Sequence, residues 1–329
     1  SGTGGNMFQA WNVADITNEY FGVEGWISGV VLTLIVGTVL LGGIRRIGKV
    51  AGTLVPAMVL IYIIAGFWVL FANIGAVPGM LKLIVMSAFT PTEAAGAFVG
   101  GTVGSAFLFG MKRAIFSNEA GQGSSAIAHA AAKTDEPVRE GLVGGMEPFI
   151  DTIVVCTFTA LIILSTGIWN RAPDVAFETT PVPVQTEAGW AYADTRLPPG
   201  EWQDQEALLI IVEAGENAAT GQNIHRIGGI VSQTASGFTA SWQPIETAEM
   251  PRIVGGGFYQ DHVGATLTAK AFDSVTPGLG KWLITVASWL FAISTIIAWG
   301  YYGEQGAIYM MGSKSAIPFR LVYCSLTFV

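Results

Sequence analysis

Residues 90–125 read TPTEAAGAFVGGTVGSAFLFGMKRAIFSNEAGQGSS, and this stretch decides the fold class. Thr90 is placed as an N-cap, Pro91 takes the first helical position, and Glu93 supplies the return arm of a capping box. An apolar run follows over 94–109, broken by Gly100, Gly101 and Gly104. Each glycine costs a helix about 1 kcal/mol against alanine, so the run is either opened deliberately or pressed against a neighbour. Opened backbone in a membrane helix coordinates polar guests; small residues also let two helices approach closely. Both readings stand at this point. Lys112 and Arg113 close the run, and a polar, glycine-rich turn follows over 117–125.

The composition sets the environment. Charged residues are 12% of the chain, hydrophobic residues are 51%, and the mean hydropathy is +0.51. Soluble domains carry about 25% charged residues, so the chain reads as an integral membrane protein. The net charge of −8 argues against nucleic-acid binding, which wants a basic face. Cys156 and Cys324 both sit in apolar runs, away from any disulfide or zinc pattern. Residues 1–12 look like the end of a helix and 321–329 like the beginning of one, so a piece of a longer protein is expected.

Outward from the opening stretch, apolar runs at 25–43, 54–72, 94–110, 142–167 and 279–302 approach the ~20 residues needed to cross the hydrocarbon. Residues 15–24 read as a polar loop, and 74–92, with Pro78 and Lys82, as an interfacial helix. If the first span ends inside, then Arg45, Arg46, Lys49, Lys112, Arg113, Lys133, Arg139, Lys314 and Arg320 all fall on the cytoplasmic side, as the positive-inside rule asks. The connection over 168–260 then lies outside. It holds eleven acids and four arginines, and 207–212, 227–233 and 238–242 have the β-rich or alternating look of strands. His225 and His262 lack metal-ligand spacing and read as solvated. The expected organisation is a transmembrane bundle over 1–167 and 261–329, with an extracytoplasmic, β-rich unit between.

Residues 116–133, FSNEAGQGSSAIAHAAAK, closely resemble the signature of the alanine or glycine:cation symporter family, the sodium:alanine symporters. The resemblance continues through Glu136-Pro137-Val138, Phe149-Ile150-Asp151-Thr152, Val155-Cys156-Thr157, Ser294-Thr295, Trp299-Gly300-Tyr301-Tyr302-Gly303-Glu304 and Gly5-Asn6-Met7-Phe8-Gln9-Ala10. It covers most of the chain except roughly 170–255. The resemblance implies an all-α polytopic membrane protein, part of a leucine-transporter-type architecture of two inverted five-helix repeats. On that map residues 1–13 end the third helix, the five runs are helices four to eight, and 321 onward begins the ninth. The first helix, whose unwound middle supplies much of the site in such folds, falls outside the chain. The 168–260 connection is an insertion against the pattern.

The implied activity is sodium-coupled symport of a small neutral amino acid, alanine or glycine, across the cell (inner) membrane, with Na⁺ as coupling ion and H⁺ as the alternative. No enzymatic role is expected. A zwitterion at mid-bilayer depth needs backbone N–H groups for its carboxylate, oxygens for its ammonium and a small apolar wall. Gly100, Gly101 and Thr102 are placed to bare the backbone, and Gln9 to supply side-chain donors. Thr295 and Trp299 stand at i and i+4 on one helix face; in the resembling family they look like substrate contacts, the indole capping the pocket. Ser294 and Thr295 resemble half of a sodium site, against the alternatives that these hydroxyls bond back to their own helix and that Trp299 is an interfacial anchor. Asp151, an ionisable residue at depth, either meets the cation or joins an internal hydrogen-bonded network. Asn118 and Glu119 either gate the inner exit or cap helices. The competing function is a non-transporting sensor or assembly subunit acting through the acidic outer loop.

The topology is testable directly. With Cys156 and Cys324 replaced by serine, a membrane-impermeant maleimide applied to intact cells should label a cysteine placed within 168–260 and spare one placed at Lys133 or Arg139. The reverse pattern would invert the orientation.

Overall fold

The computed structural model of the chain describes residues 3–87, 110–111, 123–186, 189–200, 202–215, 223–234, 237–247, 249–262 and 264–328. Apart from Gly110, the expected helix over 94–110 lies outside the described residues, with Gly100, Gly101 and Thr102. Asn118 and Glu119 lie outside them too. The chain divides into two compact units, Ser1–Pro78 with Arg113–Thr166 and Gly264–Val329, and Gly79–Lys112 with Gly167–Val263.

The helices are α1 (Phe8–Phe21), α2 (Gly25–Leu40), α3 (Gly43–Ala72), α4 (Val77–Ser87), α5 (Ser124–Ala130), α6 (Pro137–Pro148), α7 (Thr157–Thr166), α8 (Ala265–Val275), α9 (Thr285–Met311) and α10 (Ala316–Ser325). Three π-helical segments adjoin them: Thr3–Met7, Phe149–Cys156 and Gly280–Ile284. Among the described residues, three helical stretches are long and apolar enough to cross a membrane: Gly43–Ala72, Pro137–Thr166 and Gly280–Met311. The 16 residues of α2 reach about 24 Å at 1.5 Å per residue, short of the ~30 Å hydrocarbon.

Three boundaries differ from the sequence reading. Residues 15–24 are mostly helix, not loop, because Ala10, Val13, Ile16 and Thr17 put a buried stripe on α1 that the polar residues between them conceal. That helix stops at Gly22, whose φ of 63° is left-handed and whose N–H bonds Asn18 O at 2.8 Å. Arg45, Arg46 and Lys49 sit in the opening turns of α3 rather than in a connection. The last long helix runs on to Met311, because Glu304 is held inside the bundle instead of ending the span.

α9 is the hub of the helical unit, packing on α1, α2, α3 and α10. Ala292, Ile293, Ile296, Ile297 and Trp299 meet Leu32, Val36 and Leu40 of α2 and Tyr323 of α10 in one core. Polar ties fix the register. Trp289 Nε1 donates to Thr17 Oγ1 at 3.0 Å, and Tyr323 Oη donates to Ile296 O at 2.9 Å. Asp273 accepts from Gly280 N at 2.7 Å, Lys281 N at 3.2 Å and Tyr20 Oη at 2.8 Å, so a carboxylate satisfies the open N–H groups where the last long helix begins. α3 approaches α7 at Gly66, where any Cβ would overlap the Phe158 ring.

The second unit holds the strands. β1 (Val175–Ala176), β2 (Pro183–Thr186), β3 (Gly189–Tyr192), β4 (Thr195–Arg196), β5 (Ala207–Glu213), β6 (Ile224–Thr234), β7 (Gly237–Trp242), β8 (Arg252–Ile253) and β9 (Gly257–Gln260) form a seven-stranded sheet ordered β1-β9-β5-β6-β7-β4, with β8 also on β5, and a separate β2-β3 hairpin. All described pairings are antiparallel; Ile210 faces Ile227 and Val231 faces Ala240 in register. β6 alternates buried and open positions, while β5 is buried through its middle five residues. Leu208, Ile210, Val212, Trp242 and Phe258 make the main core, and Leu209, Ile211 and Tyr259 a smaller one. His225 is buried in β6, not solvated: its Nε2 lies 2.6 Å from Gly215 O.

The clearest stability expectation concerns Glu304. It is 4% exposed, and Arg320 of α10 grips it with two bonds of 2.8 and 2.7 Å. Arg320→Ala leaves that carboxylate buried and uncompensated, a loss of about 3–5 kcal/mol. Glu304→Met with Arg320→Leu removes both charges and should cost far less. Thermal unfolding in detergent compares the two.

Candidate functional site

The site is built where α1 and the π-helical turn before it pack on α9. A π turn widens the helix and leaves its carbonyls imperfectly paired, and such turns concentrate at functional positions. Here the turn is Thr3–Met7, rich in glycine, and Gln9 follows in the first turn of α1, half-buried. On α9, Thr295 is half-buried and Trp299 is buried. The indole of Trp299 stands edge-on to Tyr302, with ring centres 5.8 Å apart. It rests directly on the backbone at Gly5.

The neighbouring residue adds polarity at the same level. Asn6 is fully buried, and its Nδ2 donates to Tyr323 O at 2.8 Å. Its Oδ1 finds no hydrogen-bond donor among the described residues. A buried carbonyl oxygen left this way costs free energy. Asn6 was not singled out from the sequence. The signal was present, since an amide in an otherwise small and apolar turn is a polar group committed to the interior.

The other expected residues fall as follows. Ser294 Oγ donates back to Phe291 O at 2.8 Å, the self-bonded arrangement that hydroxyls adopt in apolar helices. That bond uses its proton and leaves its lone pairs able to meet a cation. Asp151 lies half-buried in the π-helical segment Phe149–Cys156, at the middle of the continuous stretch Pro137–Thr166. Pro148, the last residue of α6, immediately precedes that segment; lacking an N–H, it breaks the regular ladder three residues before the acid. The structure therefore brings the elements carrying Gln9, Thr295 and Trp299 together and places Asp151 on another helix.

A second polar cluster gathers around His129. His129 Nδ1 lies 2.6 Å from Glu140 Oε1, His129 Nε2 lies 3.6 Å from Glu147 Oε2, and Ser125 Oγ donates to Glu147 at 2.9 Å. The i, i+7 spacing of the two glutamates on α6 carries both carboxylates to one face, and Gly144 between them leaves room for the ring, which a Cβ would approach to 3.1 Å. The bond to Glu140 is the main cause that raises the His129 pKa above its ordinary value; partial burial opposes it, and Glu147 adds to it. Elsewhere in the helical unit, a groove of about 330 Å³ lined by Met58, Ile61, Trp282, Leu283 and Val286 is apolar. It offers nothing to a charged guest.

A profile of the sodium:alanine symporter family matches residues 1–193 and 238–329. A sodium/alanine symporter of Methanococcus maripaludis is 32% identical over 98% of this chain and 52% of its own length. A putative sodium/proton-dependent alanine carrier of Bacillus subtilis is 27% identical over 97% of the chain and 51% of its own length. A probable sodium/glutamine symporter of the same organism is 37% identical over 56% of the chain and 38% of its own length. The chain thus spans about half the length of the curated relatives that it matches end to end.

The His129 pair carries a pH dependence with a definite sign. A histidine whose folded pKa is raised stabilises most below its unfolded value, near 6.5, and the contribution fades as pH rises through the elevated folded value. Hydrogen exchange in 124–130 should therefore quicken as pH climbs from about 6 into the alkaline range, after correction for intrinsic rates. Glu140→Gln should remove most of that dependence.

Proposed function

Since the chain belongs to the sodium:alanine symporter family, we propose that it forms the substrate-bearing part of a carrier that moves a small neutral amino acid, alanine or glycine, together with Na⁺. The carrier sits in the cell (inner) membrane as a multi-pass protein and works by alternating access. The single observation that carries the reading is the packing of the glycine-rich π turn and α1 onto the Thr295–Trp299 face of α9.

The chemistry follows from the groups present. Gln9 offers amide donors to a carboxylate, and Thr295 a hydroxyl to either end of a zwitterion. Trp299 closes the apolar side and limits the length of the side chain admitted. Na⁺ is cargo. As a hard cation it takes oxygens, and Thr295 with Ser294, whose proton already points to Phe291 O, can turn lone pairs toward it. Bound beside the substrate carboxylate, the ion lowers the cost of taking that charge out of water. Each charge carried inward gains about 2.3 kcal/mol per 100 mV. Asp151, Asn118 and Glu119 are assigned to coupling or gating, and Gly100, Gly101 and Thr102 to backbone contacts.

In this reading the bundle is part of a fold of two inverted five-helix repeats, formed by 1–167 and 261–329. Residues 168–260 are an extracytoplasmic insertion, which the family profile's gap at 194–237 supports. One relative is named for glutamine; in this reading Trp299 sets the size of side chain admitted here.

The test is uptake of labelled alanine by the complete protein in proteoliposomes, with an inward Na⁺ gradient and without. Gradient-driven uptake is expected. Thr295→Ala should cut uptake at least tenfold, and Trp299→Ala should admit larger amino acids as competitors. Uptake indifferent to Na⁺, H⁺ and membrane potential would remove the symport reading.

A further inference from the structure

Trp299 owes its place to one residue on the facing element. A Cβ built on Gly5 would overlap Cγ and Cδ2 of the indole and lie 2.7 Å from Trp299 Cβ. The first two overlaps could be escaped by turning the ring. The third cannot, because Cβ is fixed to the α9 backbone. Any side chain at position 5 therefore forces the π turn and α9 apart, whatever rotamer the indole takes.

That separation has a defined geometry. The π turn is tied one residue on by Asn6 Nδ2 to Tyr323 O, and Tyr323 Oη is tied to Ile296 O, one turn before Gly300 on α9. Gly300 repeats the close approach: its Cβ would lie 2.9 Å from Leu40 and 3.1 Å from Tyr323. At the far end of α1, Trp289 Nε1 holds Thr17 Oγ1. The spacing between α1 and α9 is thus pinned at Thr17, at Asn6 by way of Tyr323, and at Gly5 by direct contact. Gln9 lies between these points.

We infer that Gly5 is a specificity-determining position: by admitting Trp299 onto bare backbone it fixes the distance between the Gln9 and Trp299 walls, and so the size of side chain the site accepts. The inference rests on the substrate site proposed above. Gly5 acts through Trp299 and touches no substrate itself; it is a positioning residue. A larger residue here widens the gap and lets the indole tilt, so selectivity relaxes along with affinity for the smallest substrates.

The experiment uses the complete carrier in proteoliposomes, with labelled alanine as substrate and unlabelled glycine, serine, glutamine and leucine as competitors. Gly5→Ala is expected to raise KM for alanine at least tenfold and to bring glutamine or leucine within threefold of alanine as inhibitors. A parallel cycle reads melting in detergent for wild type, Gly5→Ala, Trp299→Gly and the double variant. Gly5→Ala should lower melting in the Trp299 background and change it little when Trp299→Gly has removed both the ring and its Cβ. That arm also serves if Gly5→Ala alone fails to fold, since the double variant should then melt with Trp299→Gly. Wild-type transport with an unchanged KM and competitor order in Gly5→Ala overturns this inference alone, as does an equal melting loss in both backgrounds. A wild type that takes up no amino acid overturns the transport reading and this inference with it.

Discussion

Direct contact between one helix and the bare backbone of another governs the helical unit. α9 touches α1, α2, α3 and α10, and at two of its tight contacts a glycine stands on one side: Gly5 of the π turn beneath Trp299, and Gly300 beneath Leu40 and Tyr323. Lipid tails are as apolar as leucine, so helices in a bilayer gain little by burying apolar side chains from them. Close fit and interhelical hydrogen bonds do that work instead. The bonds of Trp289 to Thr17, Tyr323 to Ile296 and Asn6 to Tyr323 are the directional partners of those contacts.

The same constraint explains where charge is admitted. Glu304 is buried only because Arg320 meets it with two parallel bonds. Asp273 is spent on open N–H groups at the start of the last long helix, with Tyr20 on its other oxygen. His129 gathers two glutamates that stand two turns apart on one face of α6. Each acid is matched to a donor set contributed by a segment other than its own helical turn, and each match joins two elements.

The β unit is ordered differently, by side-chain alternation and aromatic burial: Trp242 stacks on Phe258 at 5.9 Å, and Phe177 stands edge-on to the same ring at 4.6 Å. His225 shows the limit of reading polarity alone. In β6 its parity directs it inward, and a backbone carbonyl at Gly215 satisfies it there. Spacing to other ligands could not reveal that, because the partner is main chain.

By itself the sequence determined what depends on neighbours in the chain. Apolar runs over 54–72, 142–167 and 279–302 each match, to within one residue, part of a helical stretch long enough to span, because hydropathy summed over some twenty residues is a local property. Thr295 and Trp299 share a face because helical pitch requires it. Tertiary structure alone decided the rest. Residues 15–21 are helix because Ile16 and Thr17 have a neighbouring helix to bury against. The π turns at Thr3–Met7 and Phe149–Cys156 leave no periodic signature. Asn6, Glu140 and Arg320 find partners 317, 11 and 16 residues away. Gly5 looks like any glycine in a flexible start until α9 lays Trp299 across it. No local pattern encodes such pairings, because the free energy that selects them exists only once the helices are side by side.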